Sequence, residues 1–226
     1  MNAESPSTQP AVPASLSALE ARVLGCLIEK ELATPDIYPL TLNALVNACN
    51  QRSNREPVMD VGARDVEMAL EQLRQKRLVT LFSGADARVP KFKQKIDAVY
   101  PLDSAARALL GELLLRGAQT AASLRANTER LHAMPVMAEF DTMLGELAQR
   151  PSGALVRRLP RQPGQKEARW VQLLTGEPAV SVADADAEPL TVTVTLPPDV
   201  ERRLAALEAE VVHLRAELVR LRRALG

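Results

Sequence analysis

The chain is 226 residues long, with 46% hydrophobic but only 3% aromatic residues, so one or two domains with cores of Leu, Val, Ala and Met are expected. Its 28 basic and 28 acidic side chains cancel, which excludes a uniformly basic nucleic-acid protein. The balance is nevertheless local, with ten bases against seven acids over residues 102–176 and six against nine over residues 177–226.

No run approaches the ~18 apolar residues of a membrane helix, and no secretory leader precedes Leu16. Cys26 and Cys49 fall on apolar faces of helical patterns, which reads as core thiols in a cytoplasmic protein. Residues 1–15 are rich in Ser, Pro, Ala and Asn and read as a disordered tail. Ser17 then has the character of an N-cap, with Glu20 as its capping-box partner. Leu19, Val23, Leu24, Leu27 and Ile28 give that helix one buried face, ending near Glu31. Thr34-Pro35 and Tyr38-Pro39 predict an extended connection, since a residue before proline is pushed out of the α region.

Thr41 caps a second helix over Thr41–Asn50, followed by the basic turn NQRSNREP (Asn50–Pro57) and a third helix over Ala63–Arg77. Two short strands, Leu78–Phe82 and Arg88–Lys93, surround a turn at Gly84. Helix, turn, helix and hairpin is the order of a winged helix-turn-helix, a module used mostly on nucleic acid. The order then repeats. Leu16-Ser17, Leu24-Gly25, Leu27-Ile28, Lys30 and Thr34 recur 86 positions later as Leu102-Asp103, Leu110-Gly111, Leu113-Leu114, Arg116 and Thr120. Helices over Thr120–Arg125 and Met137–Gln149 follow, then strands Leu155–Leu159 and Ala168–Leu174, with Ala168-Arg169 echoing Ala87-Arg88. The expected fold class is therefore mainly α with small β-hairpins (α+β), as tandem winged helix-turn-helix domains over residues 16–98 and 99–174.

Residues 175–190 are small and acidic and read as a linker; residues 191–226 hold a short strand (Thr191–Leu196) and a last helix. Along that helix Leu204, Leu207, Val211, Leu214, Leu218, Leu221 and Leu225 follow heptad spacing. The flanking pairs Arg203–Glu208, Glu210–Arg215 and Glu217–Arg222 all attract in a parallel pair, which points to a homodimer through a coiled coil. The competing reading is a helix docked on its own chain.

Catalytic constellations are absent from the sequence. His132 and His213 lack Cys or carboxylate partners at metal-ligand spacing, and PGQK (Pro163–Lys166) lacks the rest of a phosphate loop. A non-enzymatic protein with no cofactor and no metal is expected. Three clusters suit phosphate contact: Arg52, Asn54 and Arg55 in the turn; Arg88, Lys91 and Lys93 on the first wing; and Arg157, Arg158, Arg161, Lys166 and Arg169 on the second. The bland alternatives are charges that keep hairpins soluble, and Asn50, Asn54 and Pro57 as residues that only fix the turn. Against groove reading stand the acidic third helices, with Asp65, Glu67 and Glu71 in one and Glu139, Asp141 and Glu146 in the other.

The peptides TPDIYPLTLNALVNACNQRSNREPV (Thr34–Val58) and LPRQPGQKEARWVQLL (Leu159–Leu174) resemble those of the YceH-like family of uncharacterised bacterial proteins, over about Leu16–Leu174. The resemblance implies a tandem winged-helix fold and a cytosolic protein, and carries no catalytic residues with it. The expectation is thus a dimeric winged-helix protein that binds double-stranded DNA. The alternative is a protein-interaction adaptor of the same architecture.

Overall fold

Ser17 caps the first helix, α1 (Ala18–Ala33), in the expected reciprocal way. Glu20 N–H donates to Ser17 Oγ at 3.2 Å, and Ser17 N–H donates to Glu20 Oε2 at 2.6 Å. The computed structural model describes residues 15–82, 89–162 and 164–178, all within one compact unit. The tail before residue 15, the first wing's turn with Arg88, and the whole expected coiled coil lie outside the described residues.

Each repeat holds three helices and a three-stranded antiparallel sheet. The first has α1, a two-residue strand β1 (Leu40–Thr41), α2 (Leu42–Cys49), α3 (Ala63–Gln75), β2 (Val79–Phe82) and β3 (Lys91–Gln94). The second has α4 (Ser104–Arg116), β4 (Gln119–Thr120), α5 (Ala121–Thr128), α6 (Met137–Ala148), β5 (Val156–Arg158) and β6 (Arg169–Gln172). The hairpin's later strand is central in both sheets, in the orders β1-β3-β2 and β4-β6-β5. This is the order of helices and hairpin expected from the sequence.

The local signals explain most boundaries. Thr41, Asp103 and Thr120 cap α2, α4 and α5 by accepting the N–H of the third residue on, satisfying donors that the first turn leaves open. At α3 the Asp65 carboxylate takes the Gly62 N–H at 3.0 Å, so one of the acids held against groove reading has a capping role.

Three details depart from the sequence reading. The connection after α1 is not wholly extended, since Pro35–Ile37 form a 3-10 turn before β1. Among the described residues the later strand of the first hairpin begins at Lys91, with Val89 and Pro90 outside the ladder; Pro90 has no N–H to donate to it. The strands β1 and β4, two residues each, carry too little alternation to be read from sequence.

The two repeats also share one core instead of forming separate ones. On α1 every residue from Glu20 to Glu29 is buried, not one face alone, because α4 covers the side that the periodicity leaves open. The contact is close at two glycines. A Cβ on Gly111 would lie 2.7 Å from Ile28 Cγ2, and one on Gly25 would lie 3.0 Å from Leu115 Cδ2 and 3.1 Å from Leu114 Cβ. Ile28 and Leu114 are equivalent positions of the repeat, so α1 and α4 exchange like contacts across a local pseudo-twofold. Leu16 N–H closes the unit by donating to Leu174 O at 2.7 Å.

Candidate nucleic-acid interface and the joint between repeats

The turn Asn50–Pro57 is fixed at both ends by side chains. Asn50 Nδ2 donates to Val61 O and Asn50 Oδ1 accepts from Val61 N–H, each at 2.9 Å. From α1, the buried Arg22 donates to Cys49 O at 3.0 Å and to Pro57 O at 2.5 Å. Burial lowers the Arg22 pKa from its ordinary value. Between these clamps Asn54 adopts φ 57°, the left-handed region that Asn tolerates better than other non-glycine residues.

Arg55, expected to contact phosphate, is withdrawn from that role by its placement. It is 4% exposed, and all five of its N–H donors are occupied. They reach Ala48 O (3.0 Å), Glu29 Oε1 (3.2 Å), Asn54 O (2.9 Å), Glu29 Oε2 (2.5 Å) and Gln51 Oε1 (2.7 Å). A guanidinium has five donors, so none is left for an outside anion. Burial works against its charge, but the bonds to Glu29 prevail and raise its pKa.

Glu29 in turn joins the repeats. Arg130, which follows α5, donates to Glu29 Oε1 at 2.8 Å and to Glu112 Oε2 on α4 at 2.9 Å. Arg116 Nε lies 3.4 Å from Glu112 Oε1, and its Nη1 donates to Asn54 Oδ1 at 3.2 Å. Glu56 N–H donates to Leu115 O at 2.8 Å. Burial pushes the Glu29 carboxyl up, yet the hydrogen bonds and charge of Arg55, then of Arg130, hold it below the usual carboxylate range. The signature turn is therefore first of all the joint between the two repeats, with Asn50 bonded to Val61 and the exposed Asn54 accepting from Arg116. Arg52 alone of the turn's two arginines is exposed.

The hairpins sort their cations by strand alternation. In the first, Thr41, Lys91 and Phe82 are directly paired, as are Thr80 and Lys93. Directly paired residues share a sheet face, so Lys91 and Lys93 lie together on the face opposite Leu40, Phe92 and Leu81. In the second, Gln119, Trp170 and Arg158 form one row and Thr120 pairs with Arg169. Arg169 therefore corresponds to Lys91, not to Arg88 as the dipeptide echo had it.

Arg158, Arg161 and Lys166 line one cavity of about 710 Å³, together with Trp170 and two carboxylates, Glu167 and Asp141 of α6. Arg169 faces a different cavity, near α4 and the Asn54 turn. Arg157 is exposed but pairs with Glu177, its Nη2 donating to Oε1 at 2.8 Å. The expected five-cation wing is thus three convergent cations, one paired and one turned elsewhere. Sequence charge alone could not separate these, although strict alternation within a confirmed register would have divided Arg157 from Arg158.

Cys26 and Cys49 are fully buried; the bond with Cys26, then burial, raises the Cys49 thiol. Among the described residues no group of three or more His, Cys, Asp or Glu could hold a metal ion, and no helix is long and apolar enough to cross a membrane.

Comparison with known proteins places this architecture. A UPF0502 protein of Geobacter sulfurreducens is 47% identical over 199 residues, covering 88% of this chain and 90% of its own length. A UPF0502 protein of Geotalea uraniireducens is 48% identical over 208 residues, covering 92% and 94%. One of Burkholderia thailandensis is 46% identical over 214 residues, covering 95% and 87%. The family model described as "Protein of unknown function, DUF480" matches residues 16–165, which take in the first repeat, the inter-repeat joint and the second repeat as far as the turn before β6. The chain belongs to this DUF480 family of uncharacterised bacterial proteins, as the signature peptides had suggested.

Proposed function

We propose that this is a non-enzymatic, cytoplasmic winged-helix protein that binds double-stranded nucleic acid through its phosphate backbone, with no cofactor. The observation that carries the reading is the convergence of exposed Arg158, Arg161 and Lys166 on one open cavity. Lys91, Lys93 and Arg52 supply weaker, dispersed positive charge on the first repeat. The exposed acids of α3 and α6 argue for backbone contact rather than base reading, because a carboxylate-bearing helix is repelled from a groove.

Titration of a random-sequence duplex, followed by fluorescence anisotropy over a salt series, tests the proposal. Affinity should fall steeply with salt, and Arg158→Glu with Arg161→Glu should lower the phosphate slope by about two. Both side chains are exposed, so the melting temperature should hold. Unchanged affinity in the double variant would remove the wing from the interface.

The adaptor reading is favoured by one separate feature. Leu81, Phe82 and Val89 on the first hairpin are 39%, 47% and 53% exposed, with Leu81 and Phe82 on opposite sheet faces, and large apolar side chains left in water suit a protein partner. Partners retained through nuclease treatment of a pull-down would support it over nucleic-acid binding.

The heptads Leu204 to Leu225 lie outside the described residues, and we keep the homodimer as part of the proposal. Deletion of Pro198–Gly226 should convert a dimer to a monomer in light scattering. A full-length chain that is already monomeric would refute it.

A further inference from the structure

A second cavity, of about 400 Å³, lies between the Asn54 turn of the first repeat and α4, β4, α5 and β6 of the second. It is separate from the cavity of the basic wing, and the groups that line it are mostly donors. Arg169 is exposed and makes no side-chain hydrogen bond or ion pair among the described residues.

Arg116 uses Nη1 on Asn54 and Nε toward Glu112, which leaves its Nη2 without a protein acceptor among the described residues. Ser123 Oγ takes a bond from Thr120 Oγ1 at 3.0 Å and so has its own hydrogen to donate. Gln119 Oε1 accepts from Asn127 Nδ2 at 2.7 Å, which fixes the orientation of that amide. Its Nε2 is enclosed and has no hydrogen-bond partner among the described residues, a costly state unless an acceptor fills the space beside it.

The charges point the same way. Behind the cavity, the carboxylates Glu29 and Glu112 are shared among three guanidiniums, Arg55, Arg116 and Arg130. Lys30 Nζ also lies 3.7 Å from Glu29 Oε2, which leaves two positive charges in surplus, and Arg55 and Arg116 are the members of the group at the cavity wall. Arg169 adds a further cation and the exposed Glu56 carboxylate one opposing charge. The donors come from four elements, α4, β4, α5 and β6, and a phosphate monoester offers three strong acceptor oxygens to engage them where a carboxylate offers two. A cavity of about 400 Å³ exceeds a bare phosphate and falls within the range of small-molecule sites.

We infer that this inter-repeat cavity binds a small phosphate monoester, with Arg116 and Arg169 on the phosphate oxygens and the Gln119 amide and Ser123 hydroxyl as neutral donors. The site does not rest on the wing reading, and the two can fail independently.

The test is calorimetric titration of the full-length protein with adenosine 5′-monophosphate, ribose 5-phosphate and inorganic phosphate, with adenosine, ribose and citrate as controls. Saturable binding of at least one monoester, without binding of its unphosphorylated control, is expected. Arg169→Gln, an exposed change that leaves the fold intact, should weaken it at least about ten-fold. Ser123→Ala should weaken it less. Arg158→Glu with Arg161→Glu should leave it unchanged whatever that variant does to duplex binding.

No binding of any monoester up to about 10 mM, equal affinity in Arg169→Gln, or citrate binding as tightly as the monoesters would each overturn the assignment. So would duplex DNA displacing the monoester together with loss of duplex binding in Arg169→Gln, since the phosphate would then belong to nucleic acid.

Discussion

The two repeats place equivalent backbone under different side chains, and the arginines move in opposite directions. In the first repeat Arg22 and Arg55 are buried and tie α1 to the turn before α3. In the second, Arg158 and Arg161 are exposed around an open cavity, and Arg169 looks onto another. The sheets diverge in the same sense. The row Leu40, Phe92 and Leu81 of the first becomes Gln119, Trp170 and Arg158 in the second. A duplicated frame has thus kept its helices and hairpins while an apolar row of one sheet became a polar and charged row in the other. Fold similarity between the copies is no guide to which of them binds.

The inward side of that contrast is the easiest to break. Glu29→Ala leaves Arg55 and Arg130 without their shared carboxylate in a buried site, and should cost about 3–5 kcal/mol in urea or thermal unfolding. Acid should act on the same group. The Glu29 carboxyl is held below its ordinary value, so its stabilising effect is complete above the unfolded pKa of about 4.3. It is lost as the pH falls through the lowered native value. Glu29→Gln should therefore flatten the acid limb of the stability curve. A limb of unchanged steepness would show that other carboxylates govern acid unfolding.

A smaller effect is expected where the copies touch. Gly111→Ala puts a methyl 2.7 Å from Ile28 Cγ2, and crowding of this kind costs about 1–3 kcal/mol. Alanine's helix propensity returns at most about 1 kcal/mol, so a net loss should appear in the melting temperature. A stabilised variant would mean that the α1–α4 contact is looser than the shared core implies.

The smallest effect concerns the outward side. Lys91→Glu with Lys93→Glu on the first hairpin should weaken duplex binding less than Arg158→Glu with Arg161→Glu, because Lys91 is only half-exposed whereas both arginines are exposed. Equal losses would make both wings one continuous interface and remove the asymmetry between the copies.

Much of this was legible one residue at a time. Ser17 with Glu20, Thr41, Asp103 and Thr120 marked helix starts, because a cap needs only a side-chain oxygen within three residues of an open N–H. The offset of 86 between Gly25 and Gly111 revealed the duplication.

The candidate site was less legible. Arg52 and Arg55 are neighbours in one polar turn and look alike in sequence, yet one is exposed and the other saturated by five acceptors. Three of those acceptors lie within seven residues, but the partner that fixes the charge, Glu29, lies 26 positions away and supplies the other two. Likewise β1 and β4 are too short to show a period, and their register alone assigns Arg169 to the inter-repeat cavity rather than to the wing.

The sequence by itself determined what depends on neighbours along the chain: caps, periodic faces, the repeat and the family peptides. Only the tertiary structure decided which charges are spent inside and which face solvent, because desolvation and ion pairing depend on groups brought together from distant positions. It also decided that α1 is buried all round, since the helix that covers it begins more than eighty residues later.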